Sequence, residues 1–115
     1  MAKERYLAMK ELKSLKYSTI IAENYYEIIK ELMTAILLSK GIKTIGENAH
    51  KELITEISKE KILSAEENYL IDDLRKRRNN SYYSGEPINK IFLENHSHQL
   101  EEIIKKLFRY PENSE

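Results

Sequence analysis

A chain of 115 residues is long enough for one hydrophobic core and too short for two, so residues 1–115 read as a single domain. Apolar residues at 41% and charged residues at 33% suit a globular chain with a solvated surface and exclude a disordered one. Nineteen basic residues offset nineteen acidic ones, which excludes global attraction to nucleic acid or anionic lipid, while the lack of cysteine excludes disulfides and thiolate metal sites.

No apolar run is long enough to span a bilayer or resembles a signal segment, so the expectation is a soluble, cytoplasmic protein. Three glycines and two prolines leave few stops, and they divide the chain into about five helices. The first, near residues 3–15, is short and amphipathic, with Tyr6, Leu7, Met9, Leu12 and Leu15 as its apolar residues. The second opens at Ser18 as N-cap and ends at Gly41. Its apolar residues, from Ile20 to Leu37, spread beyond one stripe, which places this helix at the bundle centre. After a turn around Lys43 to Gly46, a third helix carries His50, Leu53, Ile54 and Ile57 on one face.

The fourth helix opens with Ser64 and Glu67 at capping-box spacing and runs through Tyr69, Leu70, Ile71 and Leu74 into a basic segment. Gly85 and Pro87 separate it from a fifth helix, whose stripe is Phe92, His96, Leu100, Ile103, Ile104 and Leu107 and which Pro111 stops. No strand pattern or repeat competes with this reading. Short connections between long helices predict an all-α, antiparallel four- to five-helix up-and-down bundle.

The basic segment runs Arg75-Lys76-Arg77-Arg78-Asn79-Asn80-Ser81-Tyr82-Tyr83-Ser84-Gly85. At about 100° per residue, Arg78 lies within about 40° of both Leu74 and Ile71, on the packing stripe, and Tyr82 falls on the same line. An inward guanidinium needs a carboxylate, a partner subunit or a substrate anion to satisfy it. Lys76 and Arg77 point elsewhere and read as solvated cations that favour the helix C-terminus. Glu23 and Asn24, on the central helix, are candidates to pair with Arg78 across the bundle.

Arg78-Asn79, followed five residues after the arginine by Tyr83, resembles the motif of the HEPN domains, an Arg followed by a polar residue and then a His four to six residues beyond the Arg at the end of a bundle helix. Ala22-Glu23-Asn24-Tyr25-Tyr26 and Glu47-Asn48-Ala49-His50 are similar to other helices of that family, and the helix pattern extends the resemblance over most of the chain. The resemblance implies a helical homodimer with two motif copies facing each other across a cleft. Many family members are metal-independent ribonucleases, often toxins paired with a minimal nucleotidyltransferase antitoxin; others bind nucleotides or act as non-catalytic partners. In catalytic members the arginine stabilises charge on the phosphate, a role open here to Arg78, and the histidine moves a proton at the RNA 2′-hydroxyl.

Tyr83 stands where that histidine belongs. A free phenol titrates near 10 and is roughly 0.1% ionised at neutral pH, so service as a base needs a downward shift of about three units. It can instead donate a hydrogen bond or stack on a base. The leading expectation is therefore a nucleotide-, RNA-phosphate- or nucleotidyltransferase-binding module of a toxin–antitoxin type system. Its binding residues are Arg75, Asn79, Tyr82 and Glu23, beside Arg78 and Tyr83. The alternative is a metal-independent endoribonuclease toxin in which Arg78 and Tyr83 are catalytic.

His50 and His96 sit on apolar faces and read as core or interface residues, and His96 and His98 diverge on their helix, so no metal pair arises. No cofactor is implied. Among eight tyrosines, Tyr25-Tyr26 and Tyr82-Tyr83 form pairs suited either to an aromatic binding patch or to the rim of a helical core with hydroxyls in water.

Overall fold

The described residues of a computed structural model are 18–44, 49–85 and 87–113, with Ala2 and Glu4; the side chains of Tyr82 and of residues 111–113 stand outside that set. They form α1 (Ser18–Ser39), α2 (Ala49–Lys59), α3 (Ala65–Ser84) and α4 (Lys90–Asn113), with no strand among them. This is an all-α bundle. The helix expected over residues 3–15 lies, apart from Glu4, outside the described residues, as do residues 45–46 of the turn expected around Lys43 to Gly46 and the segment Glu47-Asn48.

α1 packs against each of the other three helices, and α2 also packs against α3. The reason is legible in its buried positions, which include Ile21, Ala22, Tyr25, Tyr26, Ile28 and Ile29 and so cover more than one face. Ile103, Ile104 and Leu107 of α4, Ile71 and Leu74 of α3, and Ile57 of α2 complete a single core, each at most 1% exposed. Tyr25 and Tyr26 are fully buried, which corrects both readings of that pair: they form neither a surface patch nor a wet rim.

Helix ends follow local chemistry. Ile42 N–H donates to Leu37 O at 2.9 Å and Gly41 N–H to Leu38 O at 3.0 Å, a paired closure after α1 that requires the left-handed φ of 77° at Gly41. A Cβ at Gly41 would meet nothing within 4 Å, so Gly41→Ala should cost only the left-handed conformational penalty, on the order of 1 kcal/mol by urea denaturation. A loss several times larger would mean that the side chain clashes.

α3 begins as expected: Ser64 Oγ accepts from Glu67 N–H at 3.1 Å while Ser64 N–H donates to Glu67 Oε1 at 2.8 Å. Lys106 of α4 reaches both oxygens of the same carboxylate at 2.8 Å, tying the start of α3 to α4. Burial pushes the Glu67 carboxyl up, but Lys106 and the Ser64 N–H outweigh it and hold its pKa below the ordinary range. At the other end Gly85, with φ of 75°, donates to Ser81 O at 3.2 Å.

Two expected ends differ. The Ser18 hydroxyl donates to Ile88 O at 3.0 Å, and Ile88 N–H donates to Thr19 Oγ1 at 3.0 Å, so this pair of hydroxyl residues fastens the start of α1 to the α3–α4 connection instead of acting as an N-cap. Nor does Pro111 stop α4, which continues to Asn113. Proline's fixed φ is helical, and within the last turn of a helix its missing N–H removes a single bond.

Candidate functional site

On α3, Ile71, Leu74 and Arg78 share one line, and packing of the first two, both fully buried, carries the third toward α1. There Arg78 Nη2 donates to Glu27 Oε1 at 3.2 Å. Its guanidinium carbon lies 5.6 Å from the centre of the Tyr26 ring, within cation–π range. The Arg78 side chain remains 24% exposed and that of Glu27 20%. Glu27 also takes Lys30 on its other oxygen at 2.8 Å, so one carboxylate stands between two cations. The carboxylate facing Arg78 is thus Glu27, one turn beyond Glu23, the residue favoured from sequence spacing.

The rest of the basic segment is matched locally. Arg75 Nε donates to Asp72 at 2.9 Å, with Lys76 at 3.4 Å from the other Asp72 oxygen, and Arg77 Nε donates to Asp73 at 3.2 Å. Burial raises the Asp72 carboxyl, but the hydrogen bond and charge of Arg75, then Lys76, more than offset it and leave its pKa lowered. Arg77 is not simply solvated as expected: its guanidinium carbon sits 4.0 Å from the Phe92 ring centre, stacking α3 on α4. Lys76 is solvated, at 65% side-chain exposure. Lys30, Arg75, Lys76, Arg77 and Arg78 thus pair with the carboxylates of Glu27, Asp72 and Asp73.

Tyr83 is 81% exposed. Five residues from Arg78, it stands about 140° around the helix from it, so the two do not share a face. Asn79 is half-buried on α3, Glu23 is half-buried on α1, and the Tyr82 side chain lies outside the described set.

Two further residues join Arg78 that sequence reasoning did not place there. Tyr26 is wholly buried beneath the guanidinium, and its hydroxyl has no hydrogen-bond partner among the described residues. Burial pushes its phenol up to about 12, against the opposing pull of Arg78 and Arg75. His50 of α2 has its ring centre 5.9 Å from that of Tyr26. Its pKa is lowered by burial first, then by Lys30 and Arg78, whose charges outweigh the influence of Glu27. A histidine on an apolar face gives no sign in sequence that a distant arginine will lie near it. His96, by contrast, has its ring centre 4.8 Å from that of Phe92 and Nδ1 at 2.7 Å from Gln99 Oε1, both on its own helix.

No known family, characterised protein or solved structure matches this chain. Among the described residues no group of three or more His, Asp or Glu is arranged to hold a metal, and no helix is long and apolar enough to cross a membrane.

What remains is a pre-oriented arginine. Its fork is fixed on one side by Glu27 and below by Tyr26, and its exposed quarter can meet an anion without first ordering a long flexible side chain. Such an arrangement suits phosphate recognition, since guanidinium N–H donors match phosphate oxygens.

Proposed function

We propose that this chain is a HEPN-like module, an antiparallel up-and-down bundle that pairs with a second copy and binds a phosphate-bearing ligand at the Arg78 end of α3. The ligand class is a nucleotide or RNA phosphate, or a nucleotidyltransferase partner within a toxin–antitoxin type system. The observation that supports this most is the fixed, partly exposed Arg78 guanidinium held between Glu27 and Tyr26. Arg75, Asn79, Tyr82 and Tyr83 flank it on the same helix, and Glu23 lies one turn before Glu27 on α1.

Binding is favoured over cleavage for a geometric reason: Tyr83 stands about 140° around α3 from Arg78, an angle that does not suit a base acting beside this arginine. Fluorescence anisotropy with a short single-stranded RNA should show saturable binding by the wild type. In Arg78→Ala it should weaken by about tenfold or more, equal to roughly 1.4 kcal/mol. Equal affinity in the two proteins would remove Arg78 from the site. Sedimentation velocity checks the dimer. Cleavage of the RNA in EDTA, lost in both Arg78→Ala and Tyr83→Phe, would replace the binding module with a metal-independent ribonuclease.

A further inference from the structure

A cleft of about 250 Å3 opens between α1 and α2. Its polar lining is Lys30, Thr34, Lys43, Thr44 and His50, and its apolar wall includes Leu53. Among the described residues no Asp or Glu lines it. Two other described clefts differ in this respect: one along α2, which shares Lys43 and Thr44 with it, carries Glu52 and Glu56, and one between α3 and α4 carries Glu66, Glu67 and Glu102. A third, between α1 and α4, has Lys40 as its cation, and that lysine already pairs with Glu60 at 3.1 Å. In a chain whose formal charges cancel, a concave surface whose described lining holds two lysines, a histidine and two hydroxyls but no carboxylate is a local departure from the average.

The charges around it are only partly paired within the chain. Lys43 is exposed and forms no ion pair among the described residues. Lys30 pairs with Glu27 at 2.8 Å, but that carboxylate is shared with Arg78. The field at His50 has the same sign, because the nearby cations oppose its protonation more strongly than Glu27 favours it.

We infer that this cleft binds a small organic phosphomonoester. Lysine ammonium groups act as point charges toward phosphate, the threonine hydroxyls can donate to its oxygens, and the apolar wall takes a ring-sized body. The volume lies just below the usual range of about 300–1,000 Å3 for small-molecule sites, which excludes a large ligand and fits one phosphate with a compact apolar group. The cleft adjoins the Arg78 surface through Lys30 and His50, but none of the residues proposed to bind there lines it, so the inference does not rest on that reading.

The test is a titration of the isotope-labelled full chain followed by NMR, with phenyl phosphate, inorganic phosphate and phenol as probes. Phenyl phosphate should shift the backbone amides of Thr34, Lys43 and Thr44 and the ring signals of His50. Inorganic phosphate should act at the same residues more weakly, and phenol should leave them unmoved at equal concentration. Lys43→Glu, a change at an exposed position, should weaken phenyl phosphate binding by about tenfold or more, while Lys105→Glu on α4 should not. Circular dichroism of both variants checks the fold. The inference is overturned if phenyl phosphate moves none of these signals at about 10 mM, a concentration above the millimolar range of weak binding. It is also overturned if Lys43→Glu binds as the wild type does, or if phenol or phosphate alone matches phenyl phosphate.

Discussion

Tyr26→Phe should be at least as stable as the wild type at neutral pH and should lose less stability in alkali, by about 2 kcal/mol at about pH 11.5. The side chain is wholly buried, and its hydroxyl meets no hydrogen-bond partner among the described residues. A buried polar group in that position carries a desolvation cost of about 1–3 kcal/mol, and phenylalanine fills nearly the same volume without it. The pH dependence follows from the raised phenol. The folded state holds its proton up to about 12, whereas an unfolded tyrosine releases it near 10. Stability from this group is therefore complete below pH 10 and is lost as pH rises through about 12. Urea denaturation of both proteins at about pH 7 and about pH 11.5 isolates the effect, because every other tyrosine is common to the two. If the variant were less stable by more than about 1 kcal/mol at neutral pH, the hydroxyl would have to be making a favourable bond. Matching alkaline losses would show that burial does not govern its titration.

Leu100→Ala should cost about 3–4 kcal/mol, the largest loss expected of any single change discussed here. Leu100 is fully buried on α4, the helix with the most extensive contact to α1, and Ile103 and Ile104 beside it are equally enclosed. Removing its branched end leaves a void that packed helices can close only in part, so lost contacts add to the lost transfer energy. For a domain whose total stability is about 5–15 kcal/mol, that is a large share, and the melting temperature should fall by roughly 10 °C or more. Phe108→Ala, at a position 36% exposed near the end of the same helix, is the contrast and should cost much less. Thermal and urea denaturation of the two variants decide the point. A loss at Leu100 below about 1 kcal/mol would mean that α4 is not packed on α1 as described.

The positions of Gly41, Ser64, Glu67 and Gly85 marked helix ends because their roles depend on neighbours within about five residues, and such chemistry is written locally in a chain. The central placement of α1 was readable for a related reason: apolar residues on more than one face leave a helix no exposed side. That Arg78 points inward also followed from its spacing to Ile71 and Leu74. Its partner did not. Glu23 and Glu27 are one helical turn apart on the same face of α1, so the choice between them depends on how far α3 slides along α1, a distance set by core packing.

Other features were ambiguous at the level of residue type. A tyrosine pair between polar residues reads equally as rim or core, and only contact with three helices at once made Tyr25 and Tyr26 wholly buried. Ser18 has the composition of an N-cap, yet its hydroxyl met a carbonyl 70 residues away. The sequence by itself determined that this is a helical chain, where its described helices turn, and which arginine faces inward, because periodicity and capping act over a few residues. Tertiary structure alone decided that Glu27 and Tyr26 hold that arginine, that His50 lies near it, and that Lys30 and Lys43 share a cleft, because each of these depends on how elements apart in the chain pack together.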